Sequence, residues 1–464
     1  MSLLAAMLTT VAVSAQQEDA QKGVNQYGQK VESHPVQATV QDGIMVFQNK
    51  EIDYKLWFDI RLQTDAAVFF GAPDFCDKNL NGEENSSHIG SGASIRRARF
   101  AIKAQLSKDW YAEFDTDWTS GTPEIKDAIL AFTGLKDWEF KAGNFKENFS
   151  IQRNTTSRYL MFMERAMITG LAPSRHLGFN VKYSHPLFWA SAGVFGPELK
   201  SSEEMTTMED NNKDYGRDEG LSYTGKVVLR PLYKRENASL HIGAAVSYRE
   251  PKLTGTDGYA VARYSTRNST NINRKKYLDT DDITGLDHEL AWTAEVAGHY
   301  NALRYEAAYI ARGAFLDKNL NKEGLDKTQW ADGWYVQASY LLFGGKQSYD
   351  ANGAKYSRTT SDRKWGNLEV AFRYEYADFN TADYKGGSGE AYTIGINYYP
   401  IKNVKLMLNY QYNNNDRFAN AKGKVYTGYD LDGNPTKDPM RVADKSGNGG
   451  VDYHMLAMRL QVAF

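Results

Sequence analysis

The feature that most restricts what this chain can fold into is a two-residue alternation that recurs from about residue 54 to the end. In Met455–Phe464, Leu456, Met458, Leu460, Val462 and Phe464 alternate with Ala457, Arg459, Gln461 and Ala463. Successive side chains of a strand point to opposite faces, so this segment needs apolar surroundings on one side and tolerates water on the other. One such stretch would suit the core of a soluble sheet. Here the pattern repeats: Leu56, Phe58, Ile60 and Leu62 alternate with Trp57, Asp59, Arg61 and Gln63, and Ala98, Phe100, Ile102, Ala104 and Leu106 with Arg97, Arg99, Lys103 and Gln105. The stretches 240–248, 368–376 and 404–412 read the same way. Charged residues in mid-strand demand water on their face, while the opposite face demands hydrocarbon.

The chain holds no run approaching ~18 consecutive apolar residues, so it has no membrane-spanning helix. Barrel strands carry only half-apolar segments of roughly ten residues and remain compatible with it. The composition agrees: Tyr 30, Phe 21 and Trp 9 make 464 residues aromatic-rich, although 24% are charged and the mean hydropathy is −0.58. A net charge of −2 provides no basic field for nucleic acid. The one cysteine, Cys76, permits neither an intrachain disulfide framework nor a Cys-rich metal site.

Sixteen strands are expected, near 54–66, 94–106, 109–118, 125–134, 138–145, 176–185, 187–195, 220–230, 238–249, 288–300, 303–313, 332–343, 366–378, 390–400, 403–413 and 451–464. Their connections alternate between short turns and long loops, the arrangement of outer-membrane barrels. Two connections fit poorly: 344–365 is long where a short one is due, and 119–124 is only modest on the long side. The fold class is therefore all-β, a closed antiparallel transmembrane barrel of about sixteen strands with long extracellular loops partly folded into the lumen. Closure is required because an unpaired backbone amide in lipid costs several kcal/mol. Trp110, Trp118, Trp138, Tyr300, Tyr398 and Tyr399 at strand ends suit the interfacial girdles.

Residues 1–15 read as the apolar core and small-residue cleavage site of a secretory signal, ending Val13-Ser14-Ala15, although no Lys or Arg precedes the apolar run. Residues 16–53 form a polar N-terminal segment, left without regular structure over 16–43, and 54–464 form the barrel domain.

The lumenal wall is expected to be nearly balanced, with Asp59, Asp65, Glu113 and Asp115 among its acids and Arg61, Arg97, Arg99 and Lys103 among its bases, most of them paired across strands. Two loops depart from that balance. Loop 146–175 sets Lys146, Arg153, Arg158, Arg165 and Arg175 against Glu147 and Glu164, a balance of +3. Segment 252–276 sets Lys252, Arg263, Arg267, Arg274, Lys275 and Lys276 against Asp257, a balance of +5. Such loops attract anions, and arginine engages phosphate or carboxylate with two parallel hydrogen bonds; a solvated external loop or a lipopolysaccharide contact would carry the same charge.

Several blocks resemble the phosphate-selective porins O and P. They are Ile60-Arg61-Leu62-Gln63, Ser94-Ile95-Arg96-Arg97-Ala98-Arg99-Phe100, Asp109-Trp110-Tyr111 and Ala142-Gly143-Asn144-Phe145-Lys146-Glu147-Asn148-Phe149. Thr156-Ser157-Arg158-Tyr159, Phe162-Met163-Glu164-Arg165, Tyr183, Tyr264-Ser265-Thr266-Arg267 and Met458-Arg459-Leu460-Gln461 continue the likeness to the C-terminal strand. The resemblance implies a trimeric sixteen-stranded pore whose two long loops fold inward to a constriction, reached by a track of arginines. By position it implies anion-binding roles for Arg153, Arg158, Arg263, Arg267 and Asp117, with Arg97, Arg99 and Lys103 as a basic wall. The track is sparser than in phosphate specialists, because Arg263 and Arg267 stand four apart.

Other motifs imply little. Asp77-Lys78-Asn79-Leu80-Asn81-Gly82-Glu83 begins like a calcium loop but has His88 at its twelfth position, and Asp317-Lys318-Asn319-Leu320-Asn321 is a cousin; both read as turns. None of the eight histidines sits in a hydrolase motif, so no catalysis, cofactor or metal is expected. The sequence thus points to a passive, anion-leaning porin in a Gram-negative outer membrane, surrounded by lipid and lipopolysaccharide and passing small anions such as phosphate or polyphosphate. The alternatives are a general or oligosaccharide-passing porin, with tyrosines stacking on sugars, and a structural or adhesive surface barrel.

Overall fold

A computed structural model of the protein describes residues 22–41, 43–77, 87–196, 220–250, 261–321, 324–443 and 449–464. The expected leader, 1–15, lies outside the described residues, as do Lys252 and Asp257 of the second basic loop and most of the first calcium-like motif.

Sixteen long strands close into one barrel. In chain order they are β1 (Tyr54–Phe70), β2 (Gly92–Ser107), β3 (Trp110–Asp117), β4 (Glu124–Phe132), β5 (Trp138–Lys146), β6 (Arg175–Ser184), β7 (Phe188–Phe195) and β8 (Ser222–Leu229). The second half comprises β9 (Ala238–Arg249), β10 (Leu286–Tyr300), β11 (Leu303–Leu316), β12 (Thr328–Leu341), β13 (Asn367–Asn380), β14 (Lys385–Ile401), β15 (Val404–Asn415) and β16 (Tyr453–Ala463). Each strand pairs antiparallel with the next, and β16 returns to β1, Ala463 opposite Arg61 and His454 opposite Phe70. The last residue completes the seam: Phe464 and Ile60 exchange backbone hydrogen bonds of 2.6 and 3.0 Å.

The alternation in the sequence is the alternation of the wall. Met458, Val68 and Ile394 stand 50–55% exposed on the outside, whereas Arg459 is fully buried within. A ring of exposed aliphatic and aromatic side chains around a polar interior matches a lipid-facing belt. Trp110, Trp118, Trp138 and Tyr300 lie on that outer surface. Tyr399 does not: it shares the inward face of its strand with Thr393, Gly395 and Asn397, and its hydroxyl donates to Glu369 at 2.6 Å inside the barrel.

Residues left unassigned on the N-terminal side also pair. Gln37–Gln41 and Ile44–Asn49 form a hairpin, and Val46–Asn49 pair with Tyr54–Trp57 of β1. The reason is an open edge: β16 reaches only to Arg61, so the lower end of β1 would otherwise expose unpaired amides.

The wall is uneven. Strands β3–β8 run 8–10 residues, against 14–17 for β10–β14. In the short sector Gly143 adopts a φ of +123°, and a Cβ there would lie 1.9 Å from the Ala128 carbonyl oxygen. Gly143→Ala is therefore expected to strain the β4–β5 pair by about 2 kcal/mol or more. The check is the urea midpoint of the heat-modifiable gel band, which should fall; an unchanged midpoint would refute the strain.

The long connection 344–365 turns back into the lumen. Trp189 packs on Val228 and Ala354 and donates to the Asn352 carbonyl at 2.9 Å. The Tyr349 hydroxyl lies 2.7 Å from His241 Nδ1. Tyr356 is 1% exposed, donates to the Gly298 and Tyr305 carbonyls, and lies 3.6 Å beneath the Arg304 guanidinium.

Candidate pore constriction

The loop between β5 and β6 fills much of the bore. It enters with a one-turn helix, Ile151–Asn154, whose N-cap Ser150 accepts from the Arg153 backbone amide at 3.2 Å. Beyond the helix its carbonyls are taken up one after another by wall side chains. Gln461 donates to the Arg158 carbonyl, Arg304 to that of Tyr159 at 2.8 Å, Lys405 to Leu160 at 2.7 Å, and Asn397 to Met161 at 2.9 Å. Arg459 takes Met163 and Arg373 takes Glu164, the latter at 2.9 Å. An irregular backbone at membrane depth is tolerated where protein satisfies its polar groups in this way. The cationic wall of β11–β16 is thereby committed to holding a loop.

Above it the mouth is packed with apolar residues. Met167, Ile168 and Leu171 of this loop meet Tyr277 and Leu278 of the loop before β10 and Phe75 of the loop after β1. Alanines on the lumenal face, among them Ala291, Ala308, Ala331 and Ala377, leave room for them. At Gly333 the approach is closer still, since a Cβ would fall 2.3 Å from Ile168.

Against β1–β7 the bore holds a cavity of ≈ 330 Å³. The inward loop closes its far side through Asn154, Ser157 and Arg165, and the turn 344–365 closes its lower side through Asp350 and Lys355. Ten cationic side chains line it, against six carboxylates. Six of the ten are matched: Arg99 with Asp115, Lys103 with Asp59 and Glu113, Lys141 and Lys182 with Glu139, Arg175 with Asp127, and Arg97 with Glu164 at 3.9 Å. The carboxylate group Glu113, Asp115 and Asp127 is thus a set of cross-strand pairs. Among the described residues, Arg61, Lys146, Arg165 and Lys355 line the cavity with no carboxylate within ion-pair distance; Arg61 binds Ser157, Lys146 binds the Arg153 carbonyl, and Arg165 binds the carbonyls of Gln152 and Thr155. Burial first, and neighbouring Arg153 second, lower the Arg165 guanidinium to about 9, so it stays charged at neutral pH.

The residues expected at the constriction separate into two sets. Arg97, Arg99 and Lys103 line the cavity. Arg153 instead grips the Thr169 and Ala172 carbonyls at 2.7 and 2.9 Å, and Arg158 pairs with Asp59. Arg263 forms a two-pronged pair with Asp279 at 2.8 and 2.6 Å, and that hydrogen bonding raises its hold on its proton. Arg267 donates to Asn271 at 3.2 Å; burial, then Arg274 and Arg96, lower its pKa. Asp117 accepts from Arg99 and Thr119 at 3.0 and 2.9 Å. Net charge counted along a loop overlooks this, because a guanidinium buried in its own loop is satisfied by carbonyls that the sequence does not count. Lys355 was missed altogether. Its signal was the unexplained length of 344–365.

A bulge adds one more basic position. Between Gln63 and Thr64 the β1–β2 register slips by one residue, so Arg96 and Arg97 both face inward while Ile95 stays 55% exposed outside. Arg96 binds Glu164 through two contacts, 2.7 and 3.0 Å.

The family model for phosphate-selective porins O and P matches residues 73–434. The chain belongs to that family. Like other porins O and P it is a channel of the outer membrane of Gram-negative bacteria. Porin O of Pseudomonas aeruginosa is 25% identical over 407 residues, covering 81% of this chain and 86% of that protein. Among solved structures, OmpT of Vibrio cholerae in its trimer form has a TM-score of 0.49 at 12% identity, covering 89% of this chain and 99% of that one. An anion-selective porin of Comamonas acidovorans has a TM-score of 0.47 at 11% identity, covering 89% and 100%. In this porin the inward loop is the segment 147–174, held by side chains of β11–β16, and the cavity lies against the opposite wall.

Proposed function

We propose that this outer-membrane porin passes small oxyanions of the phosphate class through the cavity along β1–β7. The observation that carries the reading is the excess of ten lining cations over six carboxylates, with Arg61, Lys146 and Arg165 outside ion-pair distance of any carboxylate among the described residues and Lys355 opposite Asp350. Uncompensated positive charge in a narrow bore with low-dielectric walls raises the local anion concentration. Weak, multiple contacts then let each ion leave again. The family description, phosphate-selective, supports the class of solute. The sugar-passing alternative needs open aromatic faces, whereas the lumenal Tyr264, Tyr277, Tyr335, Tyr356 and Tyr453 are at most 2% exposed.

The assembly is a homotrimer in this reading. The low sector β3–β8 carries exposed Phe114, Leu130, Phe179 and Val194 on strands too short to match the tall wall, a face suited to neighbouring copies. Lipid and lipopolysaccharide cover the rest, and residues 1–15 direct export.

The experiment is phosphate titration of chloride current through single pores in a planar bilayer. Phosphate is expected to reduce the current saturably from either side. A current indifferent to phosphate would remove phosphate from the solute class.

A further inference from the structure

The carboxylate of Glu164 sits where an anion entering the cavity would be expected to bind. Three guanidinium groups surround it: Arg96 at 2.7 Å, Arg459 at 2.8 Å and Arg97 at 3.9 Å. Arg459 is in addition held by two hydrogen bonds to Asp65, 2.6 and 2.7 Å, and Arg97 donates to Gln63 at 2.6 Å. Asp65 therefore answers Arg459, and Glu164 is the carboxylate that answers Arg96 and Arg97. The position is neither sealed nor remote. The Arg96 side chain keeps 25% of its surface and that of Glu164 keeps 14%, while Arg97 also lines the cavity. On the outer side Arg267 lies within electrostatic reach of both Arg96 and Glu164.

We propose that Glu164 is a tethered counter-anion: carried on the inward loop, it competes with permeating oxyanions for Arg96 and Arg97 and so sets how tightly the arginines beside the cavity hold them. The inference rests on the anion-pore reading above and deepens it by naming the residue that tunes affinity. Its physical basis is that a pore must bind its ion strongly enough to admit it and weakly enough to release it. A two-pronged guanidinium–oxyanion contact left open to solute would hold too long. A carboxylate fixed on the loop shares those donors, so a passing phosphate exchanges with it instead of meeting bare guanidinium groups.

The test is phosphate block of chloride current in Glu164→Gln, Glu164→Asp and Arg96→Gln pores. Glu164→Gln removes the charge and keeps an acceptor oxygen, and it is expected to lower the half-blocking phosphate concentration about tenfold and to raise anion preference. Glu164→Asp keeps the charge and is expected to stay close to the wild type. If Glu164 only anchored the loop, Glu164→Gln would enlarge the conductance and weaken anion preference, and Glu164→Asp would do the same; either result overturns the proposal. Should Glu164→Gln fail to assemble, Arg96→Gln decides, since it should raise the half-blocking concentration and an unchanged value overturns the proposal. A wild-type pore that prefers cations would defeat the anion-pore reading itself, whereas an anion-selective wild type indifferent to these substitutions defeats this inference alone.

Discussion

A pore carrying Lys146→Glu and Lys355→Glu together is expected to lose its anion preference. Both side chains line the cavity outside ion-pair distance of any carboxylate among the described residues, Lys355 opposite Asp350, and the ten cations and six carboxylates there would become eight and eight. At about 10 Å in water each unit charge is worth about 0.4 kcal/mol to a passing monovalent ion, so a change of four units alters the local concentration of such an ion by more than about tenfold before screening, in opposite directions for anion and cation. The effect should be largest in dilute salt, because at about 1 M the screening length falls to ~3 Å. The two lysines are chosen over Arg61 and Arg165, which also hold the inward loop at Ser157, Gln152 and Thr155. The measurement is the reversal potential under a salt gradient for the variant beside the wild type. Equal potentials would mean that ions do not pass this cavity.

Replacing 347–360 by a short Gly-Ser turn is expected to have the second large effect. That segment is the lower boundary of the cavity, and Tyr349, Asn352, Ala354 and Tyr356 are its attachments to the wall. Its removal takes Lys355 out of the path and merges the cavity with the space beneath the inward loop, so single-channel conductance should roughly double while anion preference weakens. The inward loop itself should remain, since its carbonyls are gripped by Arg304, Asn397, Lys405 and Arg373. An unaltered conductance would show that the turn does not limit flow.

The barrel was legible in the sequence, and the reason is physical. Each wall strand separates two solvents, so its alternation persists outside a few bulges, and the sixteen expected segments correspond one to one with β1–β16. The strand ends were less legible: β1 runs to Phe70 and β14 starts at Lys385, where the chain leaves lipid and no longer needs to alternate. The hairpin Gln37–Asn49 was hidden because its partner, the open lower edge of β1, exists only once β16 has closed the barrel. Of the residues expected at the constriction, those on strands were the more legible. Arg97, Arg99 and Lys103 keep strand periodicity and could be placed by it. Arg153 and Arg158 lie on an irregular loop, where charge type says nothing of whether a carbonyl, an aspartate or open water awaits the side chain. The register slip that turns Arg96 inward likewise has no mark in the alternation.

The proposed function requires that ions cross this barrel along β1–β7 under a positive bias. Its most direct test is the reversal potential of the wild-type protein in a planar bilayer separating concentrated from dilute KCl. The predicted result is a potential of the sign set by chloride crossing faster than potassium, shrinking as the salt on both sides is raised. A potential of the opposite sign, or membranes that stay silent with folded protein inserted, would contradict it.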